Sequence, residues 1–221
     1  MHLLNKYFDH TLLKPDATPQ QIRHLCQQAL DYNFYAVCVN GCHTALAAET
    51  LKGSDIKVAT VIGFPLGTSA TAVKVFETET ALKDGASEID MVLNIGMLKA
   101  KEFDFVCTDI RKVVQIAENY HAIVKVILET GLLSDEEIVK ACLLAKEAGA
   151  SFVKTSTGFG PGGADPRHVS LMKKTVGDCM QIKASGGIRD YDTVIAMIEA
   201  GADRIGASAG AAIMDSLGGK C

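Results

Sequence analysis

Residues 151–160 read Ser151-Phe152-Val153-Lys154-Thr155-Ser156-Thr157-Gly158-Phe159-Gly160, and the reading of this run decides the fold. It follows Gly149-Ala150, a helix-ending pair, and its aromatic and β-branched residues predict a short strand that closes in glycines. A lysine stands in the middle of that strand. Burying an ammonium group is costly, because desolvation disfavours its charged form. Taken alone, Lys154 is compatible with an edge strand whose lysine points to solvent. The rest of the chain repeats the pattern and points inward.

Strand-like runs occur at 7–13, 34–40, 57–63, 88–95, 123–130, 152–158, 181–186 and 203–208, eight in all. Helix-length segments with apolar residues at helical spacing lie between them. Thr18-Pro19-Gln20-Gln21 opens one with a capping-box pattern and proline at the first helical position. Ser134-Asp135-Glu136-Glu137 opens another, which stops at Gly149. Further helices are predicted over 70–83, 99–120 and 191–199, the second being the longest. Eight strand–helix units with no linker or low-complexity tract predict an α/β chain, a single (β/α)8 TIM barrel over 1–221. A doubly wound open sheet is the alternative. It would usually show fewer strands and, for a dinucleotide, G-x-G-x-x-G after the first, which this chain lacks.

Composition narrows the function classes. The chain has 221 residues, 48% apolar and 22% charged, as in an ordinary globular domain. A net charge of −4 offers no basic footprint for nucleic acid. No apolar run is long enough to span a bilayer, and residues 1–6 lack the apolar core of a signal peptide, so a cytoplasmic protein with no membrane partner is expected. The seven cysteines are scattered, odd in number and free of C-x-x-C, which reads as core thiols. Cys38, Cys42 and His43 find no second Cys/His pair, and the histidines show no ligand spacing, so no metal is expected.

Side chains alternate across a strand. One phase reads Ile89/Met91/Leu93, Val124/Val126/Leu128 and Ile182/Ala184, apolar and suited to face helices. The other reads Asp9/Thr11, Cys38/Asn40, Asp90/Asn94, Lys125/Glu129, Lys154/Ser156 and Lys183/Ser185. With helices covering the outside, this polar phase must line the inside, where branched apolar residues are the norm. Two readings are open: a buried salt-bridge network tying strands together, which is weak evidence for stability, or a catalytic centre. Three lysines and several carboxylates toward the strand ends favour catalysis.

The loops after the last strands carry a second signal. Ala184-Ser185-Gly186-Gly187-Ile188-Arg189 follows the seventh, and Gly206-Ala207-Ser208-Ala209-Gly210 follows the eighth and opens a short helix. Small residues there let backbone N–H groups approach an anion, the usual place for a substrate phosphate in such barrels. Gly158, with the flexible Gly160-Pro161-Gly162-Gly163, would close the site.

Val153-Lys154-Thr155-Ser156-Thr157-Gly158, Glu88-Ile89-Asp90-Met91-Val92, the run from Val124 to Thr130 and Ile182-Lys183-Ala184-Ser185-Gly186-Gly187-Ile188-Arg189 together resemble the deoxyribose-phosphate aldolase family. The opening Asp9-His10-Thr11-Leu12-Leu13-Lys14 is similar to that family's first strand, and the resemblance runs from about residue 7 to residue 216. It implies reversible cleavage of 2-deoxy-D-ribose 5-phosphate to D-glyceraldehyde 3-phosphate and acetaldehyde, with no cofactor or metal, through a Schiff base. Carried over by position, it implies Lys154 as the Schiff-base lysine, Asp90 as proton donor and acceptor, and Lys183 as the second active-site lysine. Substrate contacts are expected from Asp9, Cys38, Lys125, Thr157, Gly158, Gly186, Gly187, Gly206 and Ser208. Some family members end in a tyrosine that helps protonate the enamine; this chain ends Leu217-Gly218-Gly219-Lys220-Cys221. The expected partners are a small phosphosugar and further copies of the chain, as a dimer or tetramer.

The residues ask for the same chemistry. Breaking a carbon–carbon bond beside a hydroxyl needs an electron sink, which a protonated imine supplies. The lysine that forms it must be neutral near pH 7, although its reference pKa is about 10.4. Burial and a second cation both lower that value, and Lys183 on the adjacent strand is placed to be that cation. Asp90 with Lys125 can then move protons among the hydroxyl, a water and the imine carbon. Two other classes remain: a flavin-dependent barrel oxidoreductase using the Gly186-Gly187 loop, and a non-catalytic phosphosugar-binding protein, which leaves the interior lysines unexplained.

Overall fold

The computed structural model describes residues 4–218. Its eight strands are β1 (Phe8–Leu12), β2 (Ala36–Val39), β3 (Lys57–Ile62), β4 (Glu88–Val92), β5 (Ile123–Ile127), β6 (Phe152–Lys154), β7 (Gln181–Ser185) and β8 (Arg204–Ala207). All are parallel, each paired with the next in sequence, and β8 returns to β1 to close a barrel. The helices are α1 (Pro19–Asp31), α2 (Thr44–Thr50), α3 (Thr71–Lys83), α4 (Ile95–Lys99), α5 (Phe103–Glu118), α6 (Asp135–Glu147), α7 (Pro166–Val176), α8 (Tyr191–Glu199) and α9 (Gly210–Ser216). The (β/α)8 TIM barrel is therefore the fold. No helix among the described residues is long and apolar enough to cross a membrane.

The caps follow from local chemistry. The Thr18 and Ser134 hydroxyls accept from the backbone N–H groups of Gln21 and Glu137, whose side chains reach back, so both boxes close. The helix predicted over 99–120 begins only at Phe103, as α5; Lys99 is instead the last residue of the short α4. Lys101 takes a left-handed φ of 62°, which ends α4 and restarts the chain as α5. The fourth strand stops at Val92 rather than at residue 95, because the Asn94 side chain caps α4 by accepting from the Met97 N–H.

Two apolar regions differ in size. The large one lies between sheet and helices and takes Ile89, Met91, Val124, Val126, Leu128, Ile182 and Ala184, the apolar phase of the strands. The small one is Leu13, Cys38, Ala59 and Val61, with Phe64 against it. Inside the barrel, then, β2 and β3 contribute an apolar patch. The opposite side is charged, and each buried charge there must find a partner.

Candidate active site

Strand register places the charges. Asp90 lies beside Lys125 across β4 and β5, and Lys154 beside Lys183 across β6 and β7. Their side chains meet on the barrel axis. Asp90 Oδ2 accepts from Lys154 Nζ at 2.8 Å and from Lys183 Nζ at 2.7 Å, while its Oδ1 accepts from Lys125 Nζ at 2.7 Å. Lys183 Nζ also lies 2.5 Å from Asp9 Oδ2. Lys125 Nζ lies 2.5 Å from Glu88 Oε2 and 3.7 Å from Asp9 Oδ2. Arg204 closes the lower end: its guanidinium donates to Asp9 Oδ1 and, at 3.1 Å, to Glu88 Oε2. The Tyr35 ring stacks against that guanidinium, 3.6 Å from centroid to Cζ.

Three carboxylates, Asp9, Glu88 and Asp90, thus face four cations, Lys125, Lys154, Lys183 and Arg204. The partners are unevenly shared. Lys125 touches three carboxylates and Lys183 two, whereas Lys154 touches only Asp90. Burial pushes the Lys154 ammonium below its ordinary value, Asp90 opposes that, and the Lys183 charge adds to the lowering. Burial acts on Lys183 and Lys125 as well, but their carboxylates overcome it and both are raised. For Asp90, burial favours the neutral acid, and the three lysines together outweigh it, holding the carboxyl well below the usual range. Asp9 is lowered in the same way against burial by Arg204, Lys183 and Lys125. Burial raises the Cys38 thiol, whose Sγ is 4.0 Å from Asp90 Oδ2. Lys154 is the one lysine of the three whose pKa this interior lowers.

Above the network, at the C-terminal strand ends, lies a cavity of about 400 Å³. Lys154 forms part of its base, and Thr157, Gly158, Gly186, Gly187, Gly206 and Ser208 line its wall, with Lys14 and Arg189 at the exposed rim. The glycines are there for close approach. A Cβ on Gly206 would meet Ser185 Cβ at 2.9 Å and Lys183 Cε at 3.0 Å. Gly186 has φ +92°, with Gly163 and Ser156 against it, and its carbonyl accepts from the Ala164 N–H at 2.9 Å. The loop after β6 is thereby tied to the loop after β7. The Thr157 hydroxyl donates to the buried Glu129 carboxylate and accepts from the Phe159 N–H at 3.1 Å.

The structure therefore brings Lys154, Asp90 and Lys183 into one contact group and gathers Thr157 and the small residues around one cavity. Asp9, Cys38 and Lys125 belong to the buried layer beneath and do not line the cavity. Glu129, grouped with Lys125 by strand phase, holds Thr157 instead; Glu88 and Asp9 take its place beside Lys125. Glu88 and Arg204 were not among the sequence candidates. The same alternation would have found them, since they stand two residues before Asp90 and Gly206. The end of the tail, Gly219-Lys220-Cys221, lies outside the described residues. Among the described residues, no group of three His, Cys, Asp or Glu side chains is arranged to hold a metal ion.

Comparison with known proteins adds an independent line. The deoxyribose-phosphate aldolase of Clostridium tetani is 56% identical over 212 residues, covering 96% of this chain and 98% of that one. The deoxyribose-phosphate aldolase of Thermococcus gammatolerans is 58% identical over 212 residues, covering 95% and 94%. Among solved structures, the tetrameric deoxyribose phosphate aldolase of Aeropyrum pernix superposes with a TM-score of 0.90 at 35% identity, over 97% of this chain and 90% of the other. Residues 3–216 match the family described as DeoC/LacD family aldolase. Closed barrel, interior lysines and near-full-length similarity agree, and the chain belongs to the DeoC/LacD aldolase family.

Proposed function

We propose that this chain reversibly cleaves 2-deoxy-D-ribose 5-phosphate to D-glyceraldehyde 3-phosphate and acetaldehyde, through an imine on Lys154. The observation that carries the reading is the placement of Lys154: the one interior lysine whose pKa is lowered is also the one that lines the cavity. Its neutral amine attacks the aldehyde carbon of the open-chain sugar and, after loss of water, forms a protonated imine. The C3 hydroxyl gives up its proton, the C2–C3 bonding pair moves into the imine, and glyceraldehyde 3-phosphate leaves. The enamine then takes a proton at C2, and water releases acetaldehyde and the amine. Asp90, hydrogen-bonded to Lys154 and Lys183, is placed to pass these protons through the lysines and a water. Its own basicity is low, so each transfer is shared with a neighbouring ammonium.

The phosphate belongs over Gly158, Gly186, Gly187, Gly206 and Ser208, remote from the bond that breaks, where its binding energy orients the sugar. The chain also assembles with copies of itself. The tetrameric Aeropyrum pernix relative supports this, as do Val73 and Phe76, 54% and 70% exposed on α3. Six free cysteines among the described residues support a cytoplasmic setting.

Purified protein treated with acetaldehyde and borohydride tests the central claim. A two-carbon reduced adduct on Lys154, absent in Lys154→Ala, is the expected result. An adduct on Lys125 or Lys183, with Lys154→Ala still active, would refute the mechanism. Equal kcat/KM for unphosphorylated deoxyribose would remove the phosphate placement.

A further inference from the structure

We infer that Arg204 and Glu88, neither of which reaches the cavity, are positioning residues that set the protonation state of Lys154 through the charge count of the barrel interior. The inference rests on Lys154 being the nucleophile. Both residues are buried at the first positions of their strands, and Tyr35 covers the guanidinium from below.

The charge count carries the argument. With all groups ionised, the network holds four positive charges against three negative ones, all of them buried side chains. An uncompensated charge in such a place is expensive, so one cation is pressed to give up its proton. An arginine cannot do so, because its guanidinium stays protonated throughout the pH range of proteins. Lys125 and Lys183 are held by three and two carboxylates. The deficit therefore falls on Lys154, with its single carboxylate partner and its face to the cavity. Losing that proton brings the interior to balance. Arg204 supplies the permanent charge that makes the count uneven, and it shares Asp9 and Glu88 with the lysines, leaving less of their charge to compensate them. Glu88 works in the opposite sense.

The charged and titratable groups around Lys154 come from every side of the barrel except β3, whose inner residues are Ala59 and Val61. They are Asp9 of β1, Cys38 of β2, Glu88 and Asp90 of β4, Lys125 of β5, Lys183 of β7 and Arg204 of β8. Beyond β5, Glu129 joins none of these ion pairs and bonds Thr157; Lys14 and Arg189 stand at the solvent-exposed rim, where water screens them.

The experiment measures, as a function of pH, the initial rate at which acetaldehyde and cyanoborohydride label the protein, with mass spectrometry locating the adduct. In Arg204→Gln the pH of half-maximal labelling should rise by on the order of one unit, the size expected for one charge acting across a protein interior. In Glu88→Gln it should fall by a similar amount. Arg204→Lys, which keeps the charge, and the double variant Glu88→Gln/Arg204→Gln, which removes one of each sign, should both stay near the wild-type midpoint. A purely structural role would slow labelling in every variant without moving the midpoints in opposite directions. Unchanged midpoints, or shifts of the same sign, with the adduct still on Lys154, would overturn the inference and leave the nucleophile intact. An adduct on another lysine would overturn both. If Arg204→Gln does not fold, the Glu88→Gln midpoint decides: a fall supports the inference, and no shift or a rise overturns it.

Discussion

Asp90 Oδ2 accepts hydrogen bonds from Lys154 Nζ at 2.8 Å and from Lys183 Nζ at 2.7 Å, so one carboxylate oxygen joins two lysines whose pKa values shift in opposite directions. Lys183 is held charged by Asp9 and Asp90, and its charge lowers that of its neighbour. Replacing Lys183 by alanine removes a like charge from beside Lys154, which must then be deprotonated at higher pH. The pH optimum of imine formation should rise and the rate at neutral pH should fall. Rate–pH profiles of wild type and variant decide this; a downward shift would contradict the arrangement.

Asp90→Asn preserves shape and some hydrogen bonding but removes the charge that three lysines share. General acid–base groups contribute about 10²–10⁴-fold, and activity should fall by that order. The variant should also lose stability, since taking one partner from a buried ion pair typically costs about 3–5 kcal/mol. Circular dichroism separates the two effects. A folded variant with near-normal turnover would show that Asp90 only ties the strands together.

Gly206→Ala adds a methyl group where Ser185 Cβ stands 2.9 Å and Lys183 Cε 3.0 Å away. Both must give way, and Lys183 is already fixed by two carboxylates. Displacing a catalytic group by about 1 Å can cost about 10²-fold in rate, so kcat should drop by that order. Steady-state kinetics with the phosphate ester would show it; unchanged kcat with only KM raised would confine the role of Gly206 to binding.

Stability should fall steeply in acid. Asp9 and Asp90 both have folded-state pKa values below the ordinary 3.8. Their contribution is therefore fully present above that value and is lost as pH drops through the lower, folded-state values. Thermal unfolding followed from about pH 6 to about pH 2 should show a Tm that declines below about pH 4. Removing the charge in Asp9→Asn should weaken that decline. A Tm independent of pH in this range would mean the carboxylates are not ionised in the folded protein.

Much of this was legible along the chain because a strand has period two. Reading every second residue from Lys154, Asp90, Lys125 and Lys183 outward separates a helix-facing apolar phase from an inward polar one, before any contact is known. The capping boxes at Thr18 and Ser134, and the small residues at 186–187 and 206–210, are likewise local signals. These determined the barrel, the end of it that carries the cavity, and the residues that could meet there.

Partnership was decided only by closure of the sheet. Arg204 and Asp9 are 195 positions apart, and they touch because β8 folds back onto β1. Glu88 reaches Arg204 across the interior rather than along a strand. No local pattern tells whether Lys125 is balanced by Glu129 or by Glu88, since both share its strand phase. The left-handed backbone of Glu129, at φ 57°, accompanies its turn toward Thr157 and away from that choice. Strand phase depends on the backbone of each segment alone. Which lysine is left with a single carboxylate depends on where six of the eight strands bring their charges into one buried interior, and that is fixed by long-range contact, not by sequence spacing.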